Sequence, residues 1–257
     1  VMCASHNGEP VHVAAVRRLL RAAGLGLSAL RNPPGWPLDP RSMAKAGRPR
    51  RVLHNCSGKH AGMVAGCERQ GWDLEGYRSA THPLQRRILR AVRGLTGFVD
   101  IAVGIDGCGV PVHGMPLFRM ATLYARLGHP QSFGTLGQRI AECSAAMRAH
   151  PYLVAGRNRT DTAVMERSAD LLVKSGAEGL ACAAVPQAGL GVAVKVADGG
   201  ERASGPALIR ALELVGALPE AELRELARFA RRPVLGGGEQ VGEVVAEFRL
   251  RRARSDA

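Results

Sequence analysis

The segment HNCSGKHAGMVAGCERQG, residues 54–71, is typical of a loop that runs into a helix ending at Gly71. Its first ten positions hold two histidines, a cysteine, a serine and a lysine. If a helix begins here, Cys56, Lys59 and His60 lie on two successive turns. Thiolate and imidazole are good zinc ligands, whereas a lysine binds a metal only as a neutral amine. The spacing alone is weak evidence for a metal site, because no second ligand pair accompanies it.

The composition bounds the fold and the class of partner. With 257 residues, of which 46% are hydrophobic and 4% aromatic, the chain can form one large domain or two small ones. Its formal charge is +13, yet only four of its 35 basic residues are lysines. This arginine bias is typical of a GC-rich bacterial genome. A solvated basic surface is therefore the simpler interpretation, and a nucleic-acid interface is the alternative.

The cysteines and the apolar runs indicate a cellular compartment. Six cysteines occur without a CxxC pair, and a chain of this size needs no disulfides. No apolar run reaches the length of a membrane helix. Residues 1–10 form a polar motif and lack the charged start and apolar stretch of a signal peptide. We expect a cytoplasmic protein with reduced thiols and no membrane contact.

Apolar periodicity predicts an α+β fold. Helical spacing occurs in residues 11–23, 82–97, 118–128, 136–151, 160–176, 206–216 and 220–230, and a loop runs into a helix within residues 56–71. The helix at 160–176 has Thr160 or Asp161 as its expected N-cap. Strand alternation occurs at 190–199 and 242–252, and we expect both strands in one antiparallel sheet. Residues 31–51, rich in Pro, Gly and Arg, are predicted to form a loop.

Two further motifs carry residues with reactive side chains. In CASHNGEP, residues 3–10, Ser5 precedes a turn and a helix whose free N–H groups could stabilise an oxyanion. The serine is a candidate nucleophile on this ground, and a turn or capping serine is the alternative. In GIDGCGVP, residues 104–111, the glycines allow close approach to a ligand, and Asp106 and Cys108 are ligand types. The alternative there is a structured turn with a buried thiol.

Two short segments match motifs of the penicillin-recognising hydrolases, and their surroundings support one match but not the other. SMAK, residues 42–45, has the Ser-x-x-Lys pattern but lies in the predicted loop with no apolar helix after it. We discount it. KSG, residues 174–176, resembles the Lys-Thr-Gly of that group and sits between an amphipathic segment and an apolar one. We retain it.

The motifs MCASHNGEPVH, HNCSGKHAGM, GIDGCGVP, HPYLVAGRNRTDT and LGVAVKVADG occur in an order and spacing that resemble the asparaginase II family, the rhizobial-type L-asparaginases. The resemblance covers nearly all of the chain. It implies a single domain over residues 1–257 with a fold similar to that of serine β-lactamases and glutaminases. In that fold a helical region packs on an antiparallel sheet. The implied reaction is hydrolysis of L-asparagine to L-aspartate and ammonia.

The resemblance also implies the roles of individual residues. Zinc would be held by Cys56, Lys59 and Cys108, and would serve substrate binding more than chemistry. Ser5 and Lys174 would form a nucleophile–base pair, in which burial keeps the lysine neutral enough to deprotonate the serine. The candidates for side chains that orient ligands or substrate are His6, His60 and Asp106.

The family carries a second serine–lysine pair, in an Arg-Ser-x-x-Lys-Pro tract several tens of residues before CASH. This sequence starts two residues before CASH, and RSMAKAG is in the wrong place to replace the tract. We therefore expect the N-terminal part of the domain to be missing, little activity from these 257 residues, and recovery of activity on adding the upstream tract.

Three functions follow in order of preference. The first is an asparaginase-type amidohydrolase with L-asparagine as its small-molecule partner and no nucleic-acid partner; a homodimer is left open. The second is a catalytically inactive zinc-binding relative. The third, from another class, is a basic nucleic-acid-binding module, against which the scarcity of aromatic side chains for base stacking counts.

Overall fold

The computed structural model describes residues 1–251, which form a mixed arrangement of helices and small antiparallel sheets. The helices are α1 (Pro10–Ala22), α2 (Pro40–Lys45), α3 (Ser57–Gln70), α4 (Pro83–Thr96), α5 (Leu117–Leu127), α6 (Gly137–Ala149), α7 (Pro151–Val154), α8 (Thr160–Arg167), α9 (Glu201–Leu214), α10 (Glu220–Glu225) and α11 (Ala227–Ala230). The strands are β1 (Ala102–Ile105), β2 (Pro111–Gly114), β3 (Leu172–Ser175), β4 (Leu180–Val185), β5 (Leu190–Lys195), β6 (Arg231–Gly236) and β7 (Glu239–Val245). The α+β class predicted from periodicity is confirmed.

The first core lies between α1 and α3. Helix α1 begins with a proline, whose fixed φ suits the first helical position, and its inward face buries Val16 and Leu20. Helix α3 contributes Val64 and ends at Gly71, which adopts the left-handed conformation typical of a helix C-terminus. Tyr77, from the following loop, is fully buried in the same core. The helices expected at 11–23 and within 56–71 are confirmed.

The second core lies on a three-stranded antiparallel sheet in the order β3-β4-β5. Strand β4 is buried over almost its whole length, and Ala183 at its centre pairs with Val173 of β3 and Val192 of β5. A strand covered on both faces has a continuous apolar sequence, as LACAAV shows. Helices α5 and α9 both pack against β4 and β5. This sheet fixes the position of Lys174, which pairs with Cys182.

The prediction of a single helix over residues 160–176 is wrong. Helix α8 ends at Arg167, and the chain returns as β3. The apolar run before Lys174 suits a strand or a helix equally by sequence, and pairing with the buried β4 decides for the strand. Neither predicted residue caps α8, whose N-cap is Arg159 with no side-chain bond. Instead the Asp161 carboxylate accepts hydrogen bonds from the N–H and hydroxyl of Ser175, both at 2.9 Å.

The prediction that residues 190–199 and 242–252 share one sheet is also wrong. Strand β5 belongs to the three-stranded sheet, whereas β7 pairs with β6 in a separate hairpin. The turn contains Gly237 and Gly238, both with positive φ, as a tight hairpin turn requires. This turn gives β7 a neighbouring partner along the chain, so it does not reach β5. Strand β7 begins earlier than expected and ends at Val245; position 252 lies outside the described residues.

The segment predicted as a loop at 31–51 contains the short helix α2. Asp39 caps this helix by accepting hydrogen bonds from the N–H of Ser42 at 2.8 Å and from its hydroxyl at 2.7 Å. The serine of the SMAK tetrapeptide therefore serves the helix start, in agreement with our decision to discount it.

Gly8 holds the loop that carries Ser5 close to the start of α3. Its φ is +72°, and a Cβ there would lie 2.4 Å from the Leu53 carbonyl oxygen. Gly24 has nearly the same φ, +71°, with open space around it. We expect Gly24→Ala to lower the free energy of unfolding by about 1 kcal/mol, the cost of left-handed backbone. Gly8→Ala should cost at least about 3 kcal/mol, because the backbone must also move. Urea unfolding measures both, and equal losses would contradict the close approach.

Candidate active site

The segment that carries Ser5 is held by backbone hydrogen bonds on both sides. The Ser5 N–H donates to the Val154 carbonyl at 3.0 Å, and the His6 N–H donates to the Asn55 carbonyl at 3.1 Å. The Ser5 hydroxyl is half-buried, and its oxygen accepts a hydrogen bond from the Asn55 amide at 3.4 Å. These contacts place the Ser5 Oγ beside the residue that precedes Cys56.

His6 is fully buried and has both ring nitrogens occupied. The Gly8 N–H donates to His6 Nδ1 at 3.0 Å, so the proton is on Nε2, which donates to the Ser57 hydroxyl at 3.0 Å. Burial lowers the pKa of His6 to about 3, and the ring is neutral at physiological pH. Its polar atoms tie the Ser5 segment to α3 and leave none free for a substrate.

Three ligand-type side chains meet between the start of α3 and the β1–β2 turn. Atoms of Cys56, Asp106 and Cys108 that could bind a metal all lie within 4.8 Å of one another. The Cys108 thiol also donates to Asp106 Oδ2 at 2.9 Å. Cys56 is the N-cap residue of α3, and the turn is closed by the Gly109 N–H, which donates to the Asp106 carbonyl. Zinc–sulfur bonds near 2.3 Å predict that two thiolates on one zinc lie roughly 3.5–4 Å apart, and the observed upper bound of 4.8 Å is compatible with this distance.

Lys59 completes this group. Its Nζ lies 3.4 Å from Asp106 Oδ2. Burial acts to lower the pKa of Lys59, but Cys56, Cys108 and Asp106 together hold it above its ordinary value. Hydrogen bonding with Cys108 lowers the pKa of Cys56 to about 7, and Lys59 contributes in the same direction. Cys56 is therefore the thiol that ionises first.

His60 approaches the Cys108 sulfur from the protein interior. The Arg31 N–H donates to the Tyr77 hydroxyl at 3.0 Å, and that hydroxyl donates to His60 Nδ1 at 2.5 Å. With the Tyr77 hydroxyl proton directed at Nδ1, the His60 proton is on Nε2, which is buried and has no hydrogen-bond partner among residues 1–251. Hydrogen bonding with Cys56 and burial raise the pKa of Cys108 to about 12, against an opposing effect of the nearby His60 ring. His60 is positioned to donate to a Cys108 thiolate.

Lys174 reaches the same region from β3. Its Nζ contacts the Ser175 carbonyl and lies 4.0 Å from Asp161 Oδ2. Burial lowers the pKa of Lys174, and Asp161 opposes this effect. The charges of Cys56 and Lys59 have smaller, opposite effects on the pKa of Lys174. Within residues 1–251 Lys174 makes no hydrogen bond to Ser5.

The donor set fits a zinc ion. Two thiols, a carboxylate and an amine are nitrogen, oxygen and sulfur ligands of the kinds zinc accepts, and four of them suffice for a tetrahedral site. Ionisation of Cys108 would also provide an acceptor for the unpartnered His60 Nε2–H. Metal ligands are usually held in position by hydrogen bonds from a second group. In this site His60 would be that group for Cys108.

The sequence motifs omitted several residues that shape this site. Asn55, within the opening segment, holds the Ser5 hydroxyl. Asp106 was assigned an orienting role, yet it lies as close to both thiols as a ligand. Tyr77 and Asp161 hold His60 and the Lys174 strand. The GIDGCGVP motif did identify Asp106 as a ligand type, whereas Tyr77 lies in an irregular segment and gave no signal.

The comparisons with known proteins agree with the motifs. The family model for L-asparaginase II matches residues 1–246. No curated protein matches the chain. Within the described part of the chain, no helix is both long and apolar enough to cross a membrane.

Proposed function

The chain belongs to the L-asparaginase II family, and on this premise we propose that it hydrolyses the side-chain amide of L-asparagine to L-aspartate and ammonia. The observation that carries the proposal is the convergence of four segments. Ser5 lies beside Asn55, Cys56 lies beside Asp106 and Cys108, and the buried Lys174 amine is near enough to Cys56 for its charge to act on the pKa of the lysine.

Ser5 and Lys174 are the proposed nucleophile and base. The neutral amine of Lys174 takes the proton of the Ser5 hydroxyl as the oxygen attacks the side-chain carbonyl of the substrate. The tetrahedral oxyanion collapses, the C–N bond breaks, and the amine returns its proton to the departing ammonia. Water, deprotonated by the same lysine, then hydrolyses the aspartyl ester and regenerates Ser5. The two groups make no hydrogen bond to each other within residues 1–251, so this step requires a movement that brings Nζ to Oγ.

The oxyanion needs donors other than the amides nearest to Ser5. The N–H groups of Ser5 and His6 are already bonded to the Val154 and Asn55 carbonyls. The first turn of a helix has N–H groups without helical partners. We assign the oxyanion to the first turn of α3, which begins at Ser57, next to the residues that hold Ser5. This replaces the start of α1 as the expected source.

Zinc is the proposed metal, held by Cys56, Lys59 and Cys108, with Asp106 as a further candidate ligand. When bound, the ion would supply positive charge that attracts and orients a carboxylate-bearing substrate. His60 would donate to the Cys108 thiolate and fix its direction.

We propose further that the domain has the fold of serine β-lactamases and glutaminases and that it acts in the cytoplasm. Helices on both sides of the β3-β4-β5 sheet support the first, and six free cysteines support the second. A second serine–lysine pair upstream, and a homodimer, stay as predictions.

The test is ammonia release from L-asparagine, measured on these 257 residues and on a version extended by the in-frame upstream coding sequence. We expect turnover with L-asparagine, little with D-asparagine, and a higher rate in the extended version. Zinc binding without turnover in either version would identify an inactive zinc-binding relative and contradict the proposal.

A further inference from the structure

A cavity of about 630 Å³ lies between α1 and α2. One face of α1 forms its wall, since the residues at positions 10, 13, 14 and 17 recur at helical spacing. Its aliphatic lining comes from Pro10, Val13, Ala14, Pro37 and Leu53. A volume in the range of about 300–1,000 Å³ with an apolar lining is typical of a small-molecule site.

Basic side chains surround this cavity, namely Arg17, Arg41, Lys45, Arg50 and Arg157. It also has two carboxylates, Glu9 and Asp39, both buried and both engaged by donors of the protein. Arg157 lies 3.5 Å from Glu9. In the described chain the other four basic groups make no ion pair.

The whole chain has an excess of positive charge, and the segment around this cavity has one of its own. Residues 10–51 hold nine basic residues and a single acidic one, Asp39. Five cations and two carboxylates line the cavity, and this excess creates a positive potential that an anionic ligand would neutralise. Arginine in particular suits phosphate, because its planar guanidinium donates two parallel hydrogen bonds.

We propose that this cavity binds a phosphorylated organic molecule of nucleotide size, with its phosphates on the arginines and its organic part on the aliphatic lining. No aromatic side chain of the described residues lines the cavity, so recognition rests on charge and shape and not on base stacking. The cavity is separate from the cysteine group, whose residues do not line it. This inference goes beyond the proposed amidohydrolase and does not depend on it.

The two parts of the ligand can be tested separately. Calorimetric titration with ATP should give saturable binding at one site per chain, weakened by added salt. Inorganic tripolyphosphate should bind more weakly than ATP, and adenosine should not bind measurably. Equal affinity for ATP and tripolyphosphate would show that the organic part does not bind the aliphatic lining, and would contradict the proposal. Binding of adenosine as tight as that of ATP would overturn it.

Adjacent residues of α1 provide matched variants. Arg17 lines the cavity and Arg18 does not, and both are exposed, so either can be replaced without loss of packing. Loss of a charged hydrogen bond weakens binding about tenfold. We expect Arg17→Ala to weaken ATP binding about tenfold and Arg18→Ala to leave it within about twofold. Equal effects would show a diffuse surface charge and overturn the proposal.

A steric variant separates the cavity from the basic surface around it. Ala14 is exposed and lines the cavity, so Ala14→Phe fills the space without a change of charge. We expect it to abolish ATP binding while the melting temperature stays close to that of the unmodified chain. If a single-stranded oligonucleotide binds more tightly than ATP and Ala14→Phe leaves both affinities unchanged, the basic surface is a nucleic-acid interface instead.

Discussion

Lys174→Met is expected to lower the rate of ammonia release from L-asparagine by at least about a thousandfold, because it removes the base proposed for Ser5 while keeping the length of the side chain. Ser5→Ala should cause a similar loss, and the double variant little more than either alone, since groups that act as a unit are not additive. The rate is measured on whichever version, original or extended upstream, shows the higher turnover.

The chain offers close controls for both variants. Lys195 lies on β5 of the same sheet and is exposed, so Lys195→Met removes a lysine without affecting the site. Ser28 is an exposed serine far from Ser5 in the chain. We expect Lys195→Met and Ser28→Ala to keep turnover within about twofold of the unmodified protein. A Lys174→Met protein as active as its Lys195→Met control would exclude Lys174 as the base.

The pH dependence of folding stability distinguishes loss of a base from loss of structure. Burial lowers the pKa of Lys174 below its ordinary value of 10.5, against the opposing effect of Asp161. The unfolded chain therefore binds the proton more tightly, and this site's contribution to stability rises with pH between the folded pKa and 10.5. Below pH 10.5 this lowered pKa therefore opposes folding. Lys174→Met should thus melt at or above the temperature of the unmodified protein, while turnover rises with pH only when Lys174 is present.

Local sequence rules predicted the elements that end in clear signals. Helix α3 ends at a glycine and α4 begins with a proline and ends at another glycine, and both have the expected bounds to within about two residues. Strand β3 was missed because it is only four residues long, is separated from the end of α8 by four residues, and has an apolar run that is ambiguous by periodicity. Its identity depends on pairing with β4, which is a contact between segments.

The residues of the site could also be predicted from local motifs, whereas their contacts with other segments could not. The motifs identified Cys56, Lys59 and Cys108, and the structure brings all three together. His6 was assigned to substrate, yet its neighbours Gly8 and Ser57 use both ring nitrogens. That role depends on burial, and nothing in a short motif distinguishes a buried histidine from an exposed one. The Tyr77–His60 contact was out of reach for the same reason.

The second large effect concerns the metal. Protein purified from zinc-containing medium is expected to hold about one zinc per chain, and Cys56→Ser combined with Cys108→Ser to hold almost none, because thiolates are the strongest ligands in the set. Asp106→Asn should weaken zinc binding about 10- to 100-fold, the usual effect of losing a supporting carboxylate. Elemental analysis after dialysis against a weak chelator measures all three proteins without reference to turnover.

The control removes two thiols elsewhere. Cys3 and Cys143 are exposed cysteines outside the ligand group, so Cys3→Ser combined with Cys143→Ser should retain the full zinc content. If that pair loses as much zinc as the Cys56 and Cys108 pair, the metal is held by nonspecific thiol binding and the site assignment is wrong. If neither pair loses zinc, the metal lies elsewhere in the chain.

Proton release tests whether Lys59 itself binds the zinc. The neighbouring cysteines and Asp106 hold the pKa of Lys59 above its ordinary value, so the amine is charged before metal binding and must lose its proton to become a ligand. In weakly buffered solution near neutral pH, Lys59→Met should therefore release one proton fewer per zinc bound than the unmodified protein. Lys195→Met should release the same number of protons as the unmodified protein, since the Lys195 amine is exposed and does not belong to the ligand group. Equal proton release from Lys59→Met and the unmodified protein would show that Lys59 stays charged, with Asp106 as the third ligand in its place.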